Sequence, residues 1–432
     1  MEALGPLLVI ATLFGLLAAG VWIGIALIGT GLLAMLLFSA RLPGDSMATT
    51  VFGSLTTWTL TALPLFIWMG EVLFRSRASE AMFRGLAPLM AMLPGRLLQV
   101  NVAASMVFAA ISGSSAATCA TVGKITVPEL TRRGYPERMM IGSLAGAGTL
   151  GLLIPPSIIM IVYAVAADVS INKLFAAGVL PGVVLGLAFM VYNGAWALLH
   201  PEQIPANDLR MRFRGQLGAA LALTPIVVLI VSVLGSIYAG YATATESAAI
   251  GVVGAFVVAG LQGDVNRHFF VTTVLGAMRT TTMIMLIVAG ASFVGLAMGF
   301  SGIPIKLAQW VGSQGLSQGE LLIALAVLYV VLGCVLDGIS IVLLTMAVVL
   351  PITSAAGIDP LWFGVFVVIL VEMGQITPPV GFNLFVLQNA FRRDIGFVSR
   401  AALPSFFIMS LMLVVIWWWP GLVTWLPSRV GL

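Results

Sequence analysis

LGLLIPPS at residues 150–157 and MGQITPPV at residues 373–380 lie 223 positions apart, and each sets a Pro-Pro pair inside a long apolar segment. Proline has no backbone N–H and cannot continue a helix, so each segment should split into two half-helices with unwound backbone between them. The same offset aligns further positions. Pro128 meets Pro351, Gly134 meets Gly357, Gly151 meets Gly374 and Pro181 meets Pro404. Gly and Pro fix backbone geometry, so their coincidence at one register points to two copies of one fold.

Working outward, the chain has 432 residues, of which 60% are hydrophobic and 8% charged. Soluble proteins carry about 25% charged residues, so this is a polytopic membrane protein that should sit in a lipid bilayer. Apolar segments fall at 4–19, 21–38, 57–74, 137–167, 174–199, 217–237, 245–261, 280–300, 360–391 and 401–425. The first has no basic n-region or cleavage site and reads as a mature span rather than a signal peptide. Cys119 and Cys334 both lie inside apolar segments and read as free thiols. Trp417-Trp418-Trp419 reads as an aromatic belt at a membrane interface.

Two stretches, 96–130 and 319–352, have apolar arms around a polar centre, Ser112-Gly113-Ser114-Ser115 in one and Asp337-Gly338 in the other. Arms of about 15 residues reach only ~22 Å at 1.5 Å per residue, short of a ~30 Å hydrocarbon core. Both are expected to be re-entrant helical hairpins. Residues 78–93 and 303–313 read either as amphipathic helices along the interfaces or as ordinary loops.

Basic residues set the expected orientation. Arg75, Arg77, Arg84, Arg96, Arg132, Arg133, Arg138, Arg210, Arg212, Arg214, Arg267, Arg279, Arg392, Arg393 and Arg400 can share the cytoplasmic side. Arg41, Lys173, Lys306 and Arg429 then lie opposite, and Lys124 falls inside the first hairpin. The first hairpin would open to the cytoplasm and the second to the outside, which makes the repeat inverted, as in secondary transporters. The expected division is scaffold spans with an interfacial arm at 1–94, then hairpin, broken helix and span at 95–199. A linker at 200–216 separates these from the equivalent parts at 217–317 and 318–432.

Hairpin tips and helix breaks free carbonyl oxygens and helix N-termini inside the membrane. Carbonyls and hydroxyls are hard ligands that suit Na+, while helix N-termini favour anions. In the first half the candidates are Ser112, Ser114, Ser115 and Thr118 at the tip, with Thr149 and Gly151 near the break. In the second they are Asp337, Gly338 and Ser340, with Gly374, Gln375, Thr377 and Asn383. Ser114 meets Asp337 at the offset of 223. Ser, Thr and Gly also serve close helix packing, and an Asp can simply cap a helix. Whether each Ser binds through its hydroxyl or through its carbonyl stays open. Glu372 divides evenly between function and structural pairing. Glu246 in TATES reads as a cap, Glu71 as a partner of Arg75, and Lys124 either snorkels or bears on the substrate anion.

Other chemistries find little support. His200 and His268 fall in expected loops, and no Walker A pattern occurs. A Ser–Lys nucleophile from Ser114 or Ser115 with Lys124 lacks suitable helical spacing. Neither enzyme activity, a bound cofactor nor nucleic-acid binding is expected.

ISGSSAATCATVGKITVPEL, GTLGLLIPPS, GCVLDGISIVLLTMAVVLPI and GQITPPVGFNLFVLQ together resemble the large membrane subunit of tripartite ATP-independent periplasmic (TRAP) transporters over nearly the whole chain. The resemblance implies a Na+-coupled elevator in a bacterial inner membrane, with a transport domain of two hairpins and two broken helices. It implies a small four-helix membrane subunit, a periplasmic substrate-binding protein and a carboxylate substrate. No four-helix segment precedes Met1, so the small subunit is expected as a separate chain. By the resemblance Ser112, Ser114, Ser115 and Gly151 bear on one Na+ site, and Asp337, Gly338, Gly374 and Thr377 on the other. Ser115, Thr118, Thr149, Ser340, Gln375 and Asn383 are the candidates for facing substrate. Lys124 departs from the usual small or apolar residue, and Ala244 stands where the family often has Pro. A self-sufficient Na+/dicarboxylate symporter, an ion channel with re-entrant loops and a membrane scaffold for a partner enzyme are the alternatives.

Overall fold

A computed structural model describes residues 4–205 and 213–430. Residues 206–212 of the linker, Arg210 and Arg212 among them, lie outside the described residues. Among those described, the regular structure is helical throughout. Five helices are long and apolar enough to cross a membrane, or seven if two bent pairs each count as one span.

In the first half, α1 (Leu4–Ala18), α2 (Ile23–Phe38), α3 (Pro43–Leu55), α4 (Ala62–Arg75) and α5 (Ala78–Met90) precede the first hairpin. The hairpin is α6 (Leu97–Ser112) and α7 (Ser115–Arg132). The broken helix is α8 (Glu137–Leu153) and α9 (Ile158–Ala166), bent by 43°, and α10 (Ile171–Leu199) follows. The second half begins with α11 (Phe213–Tyr238), α12 (Ala244–Leu261), α13 (Arg267–Ser301) and α14 (Ile303–Ser313). Its hairpin is α15 (Gln318–Gly333) and α16 (Gly338–Ala355). Its broken helix is α17 (Pro360–Gln375) and α18 (Phe382–Phe391), followed by α19 (Ile395–Trp418) and α20 (Gly421–Arg429).

Element bounds recur at the offset that the Gly and Pro positions set. Adding 223 to Ser115–Arg132 gives 338–355, the bounds of α16, and adding it to the start of α8 gives Pro360, the start of α17. The recurrence reaches single hydrogen bonds. After α7, Tyr135 N–H donates to Leu130 C=O (3.1 Å) and Gly134 N–H to Thr131 C=O (3.0 Å). After α16, Ile358 donates to Thr353 and Gly357 to Ser354, both at 3.0 Å. Both are Schellman-type endings built on a left-handed glycine, Gly134 at φ +78° and Gly357 at φ +71°. The Pro155–Pro156 and Pro378–Pro379 peptide bonds are both cis.

Packing interleaves the halves. The half-helix α9 lies against α16 of the other hairpin, and α18 lies against α7. Likewise α2 packs on α13, and α12 on α4. Ion pairs join the halves at their edges, Arg393 to Glu137 (2.7 Å) and Arg77 to Asp264 (2.6 Å).

Three expectations need correction. Residues 43–55, which fall between the apolar segments 21–38 and 57–74, form α3; their Gly, Ser and Asp content hides the helix, and Pro43 at its first turn is the available signal. The expected span 280–300 is the end of α13, a continuous helix of 35 residues and so about 52 Å long. Its counterpart in the first half is the pair α3 and α4, whose axes are bent by 58°. The last segment is two helices, since Trp419-Pro420 separates α19 from α20.

Candidate functional site

The first tip turns in two residues. Gly113 ends α6 in the left-handed region (φ +60°), and Ser114 caps α7 by accepting the Ala117 N–H at 3.4 Å. A Cβ on Gly113 would lie 2.8 Å from the Pro156 carbonyl, so only glycine fits against the break. The Gly113 carbonyl in turn accepts the Ile158 N–H at 3.2 Å, which ties the tip to the start of α9.

Four candidates converge here. Ser112 Oγ and Thr118 Oγ1 are 2.7 Å apart. Both lie on the Ser114 carbonyl, at 3.2 and 2.8 Å. Gly151, in the last turn of α8, completes the group: a Cβ there would lie 2.6 Å from both the Ser114 carbonyl and Thr118 Oγ1. Helix α8 ends at Leu153, so its last carbonyls have no intrahelical donor. The result is a compact set of hydroxyl and carbonyl oxygens. In this arrangement the hydroxyl hydrogens and the Thr118 N–H (3.0 Å) satisfy the Ser114 carbonyl. Rotating those hydrogens away presents the same oxygens to a cation. A cavity of about 310 Å³ opens beside them, lined in part by Glu71, Ser112, Ser114, Ala117 and Thr280.

The second tip is built differently. Four residues, 334–337, separate α15 from α16. Asp337 Oδ2 accepts the Ile339 and Ser340 N–H groups, both at 3.2 Å, and Oδ1 accepts the Ser340 hydroxyl. Gly374, which corresponds to Gly151, packs not against the tip but against Gly333, four residues before Asp337. A Cβ on it would lie 2.5 Å from Gly333 Cα, so two backbones touch. Asp337 is left beside a larger, mainly apolar cavity of about 1420 Å³, whose lining includes Trp22, Arg279 and Thr282. The first tip is thus closed on its glycine and the second is open.

Other candidates are placed elsewhere. Ser115 is buried and donates to Gln375 Oε1, across the two halves. Gln375 also borders Gly338, whose Cβ would lie 3.0 Å from Gln375 Nε2. Thr377 donates to Met373 C=O at 2.7 Å, in the turn that leads into the break. Thr149 donates to Gly146 C=O at 2.6 Å and lies 3.8 Å from Met409 Sδ, away from the tip cluster. Asn383 is fully buried on α18, and neither atom of its amide has a hydrogen-bond partner. An unmatched buried amide costs about 1–3 kcal/mol, so a polar guest there would be stabilised.

Glu372, which the sequence divides evenly between function and structural pairing, stands outside the expected sites. It is fully buried, and its Oε1 accepts the Leu152 N–H at 2.9 Å. Thr280 was missed; the run Arg-Thr-Thr-Thr at 279–282 inside an apolar helix was its signal. Glu71 pairs with Arg75 at 2.8 Å, and Glu246 closes a capping box with Thr243. Lys124 is exposed, one turn beyond Ala120 of the cavity lining. Cys119 and Cys334 are both free.

Comparison with known proteins gives one consistent result. Residues 10–422 match the family described as tripartite ATP-independent periplasmic transporter, DctM component. The C4-dicarboxylate TRAP transporter large permease protein DctM of Pseudomonas aeruginosa is 35% identical over 404 residues, 93% of this chain and 94% of that one. The isethionate TRAP transporter permease protein DctMQ of Oleidesulfovibrio alaskensis is 31% identical, over 95% of this chain and 65% of that one. The sialic acid TRAP transporter large permease protein SiaM of Vibrio cholerae is 27% identical over 96% of both.

Proposed function

This chain belongs to the DctM component family of tripartite ATP-independent periplasmic transporters, and from that premise we propose that it is the large membrane subunit of a Na+-coupled importer of a carboxylate-bearing organic anion in a bacterial inner membrane. The observation that carries the reading is the oxygen cluster of Ser112, the Ser114 carbonyl, Thr118 and Gly151 at the first tip. It offers several hard oxygen donors and no His or Cys, which suits an alkali cation rather than a transition metal. Asp337, at the position repeat-related to Ser114, supplies the carboxylate of a second cation site together with Gly338, Gly374 and Thr377.

In this reading the substrate anion lies between the tips. Ser115, Gln375, Ser340 and Asn383 are buried polar groups for its carboxylate, and Asn383 has both amide atoms free to bond. Thr149 faces α19 and is a weaker candidate. The names of relatives support an anionic substrate, since those proteins are described for C4-dicarboxylate, isethionate and sialic acid. The two hairpins and two broken helices would form a transport domain that moves as an elevator against a scaffold containing α2, α4, α12 and α13. A small membrane subunit and a periplasmic binding protein complete the transporter. The fused name DctMQ of one relative supports the first of these.

Reconstitution in proteoliposomes tests the proposal. Uptake should require an inward Na+ gradient, the small subunit and the loaded binding protein. Robust uptake by this chain alone would replace the tripartite reading with a self-sufficient symporter. Single-channel currents would replace it with a channel.

A further inference from the structure

Glu372 lies two residues before Gly374 on α17 and is fully buried in the second half's broken helix. Its Oε1 reaches across to the first half, where it accepts the N–H of Leu152, the residue after Gly151, at 2.9 Å. Its other oxygen, Oε2, is buried with no hydrogen-bond partner. No Lys, Arg or His among the described residues forms an ion pair with Glu372. A salt-bridge role is therefore not what places a carboxylate here.

A second bond crosses the halves close by. Ser115, next to Ser114, donates to the side chain of Gln375, next to Gly374. Both bonds thus join a neighbour of a first-site residue to a neighbour of a second-site residue. The helix pairs around them are close-packed with glycine, Gly151 against the first tip and Gly374 against Gly333. Close-packed elements transmit a shift rather than absorb it.

We propose that Glu372 is a positioning residue that couples the two candidate cation sites, so that filling one raises the affinity of the other. The inference rests on the two-site reading given above. A cation at the first site fixes the Gly151 carbonyl and with it the adjoining Leu152 N–H. The bond to Glu372 then fixes the end of α17, and the second cation binds to backbone that is already ordered. Linkage makes the effect equal in both directions, and couplings of this kind are typically about 5- to 150-fold.

Hydrogen–deuterium exchange on the purified transporter in nanodiscs, titrated with NaCl against choline chloride, reads each site separately. In the wild type, segments 149–157 and 372–381 should gain protection at one shared Na+ midpoint, with a Hill coefficient above about 1. Glu372→Leu fills the space without an acceptor, and should separate the two midpoints about 5-fold or more with Hill coefficients near 1. Glu372→Gln keeps a carbonyl acceptor for Leu152 and should retain the shared midpoint. Unchanged cooperativity in the Leu variant overturns the proposal. If that variant does not fold, Glu372→Met, which also lacks an acceptor, takes its place, and an unchanged shared midpoint there overturns the proposal; separated midpoints in the Gln variant would overturn it too, by showing that charge and not the bond matters. Two independent midpoints in the wild type would remove the coupling and leave the sites. No Na+-dependent protection in the wild type would remove the cation sites themselves.

Discussion

Replacing Gly151 by Ala perturbs the first tip with a single methyl group. The new Cβ would lie 2.6 Å from both the Ser114 carbonyl and Thr118 Oγ1, and 2.8 Å from the Ser114 carbonyl carbon. Ordinary contact begins at 3.4 Å, so the tip and the break must separate by about 0.8 Å (3.4 − 2.6). Thr118 Oγ1 is a side-chain atom, but the Ser114 carbonyl belongs to backbone at a capped turn, so side-chain rotation alone does not relieve the clash. Binding constellations tolerate about 0.5 Å of displacement, and overpacking costs about 1–3 kcal/mol. At about 1.4 kcal/mol per tenfold, the Na+ concentration for half-maximal uptake should rise roughly 5- to 150-fold. The assay is substrate uptake by the reconstituted transporter across a Na+ series. Gly148→Ala is the matched control. It lies on the same helix, and its Cβ would meet Cys119 Cβ at 2.8 Å on the same partner helix, away from the tip oxygens. That variant should lose thermal stability with unchanged Na+ activation. Equal Na+ midpoints for Gly151→Ala and the wild type would refute the assignment of a cation to this cluster.

Further expectations concern the second tip and the crossing bonds. Asp337→Asn keeps a good N-cap and removes the charge, so the protein should stay as stable while Na+ activation weakens by at least about 10-fold; Asp337→Ala should in addition lose about 1 kcal/mol of stability in thermal unfolding. An Asn variant with normal Na+ activation would reduce Asp337 to a cap. Ser114→Ala with Ser115→Ala removes the cap of α7 and the bond to Gln375; Na+-coupled uptake should be lost, and wild-type coupling would assign the serines to packing. Gly374→Ala drives a Cβ to 2.5 Å from Gly333 Cα, so its melting temperature should fall more than that of Gly148→Ala, where the neighbour is a side chain.

Much of the fold was legible because its decisive features are local. A Pro pair ends a helix wherever it stands, since it has no N–H to give. Gly113, Gly134 and Gly357 mark left-handed positions, and Ser114 and Asp337 mark helix starts through their side-chain acceptors. Helix α3 was not legible, because its composition resembles a loop and its helicity depends on packing against α13. The asymmetry of the tips was only half legible. The repeat equates Gly151 with Gly374, yet the second hairpin has four residues between its helices where the first has two, and this moves the glycine contact from the tip to the arm.

Sequence alone therefore determined the repeat, both hairpins, both breaks and the polar positions at the two tips. Tertiary structure alone decided their pairing. Ser115 meets Gln375 across 260 positions, and Glu372 meets Leu152 across 220. No local pattern encodes such contacts, because they depend on which half-helix lies against which hairpin. Here each half lends its second half-helix to the other, α9 to α16 and α18 to α7. That exchange assembles the tip oxygens, the breaks and the buried carboxylate in one place.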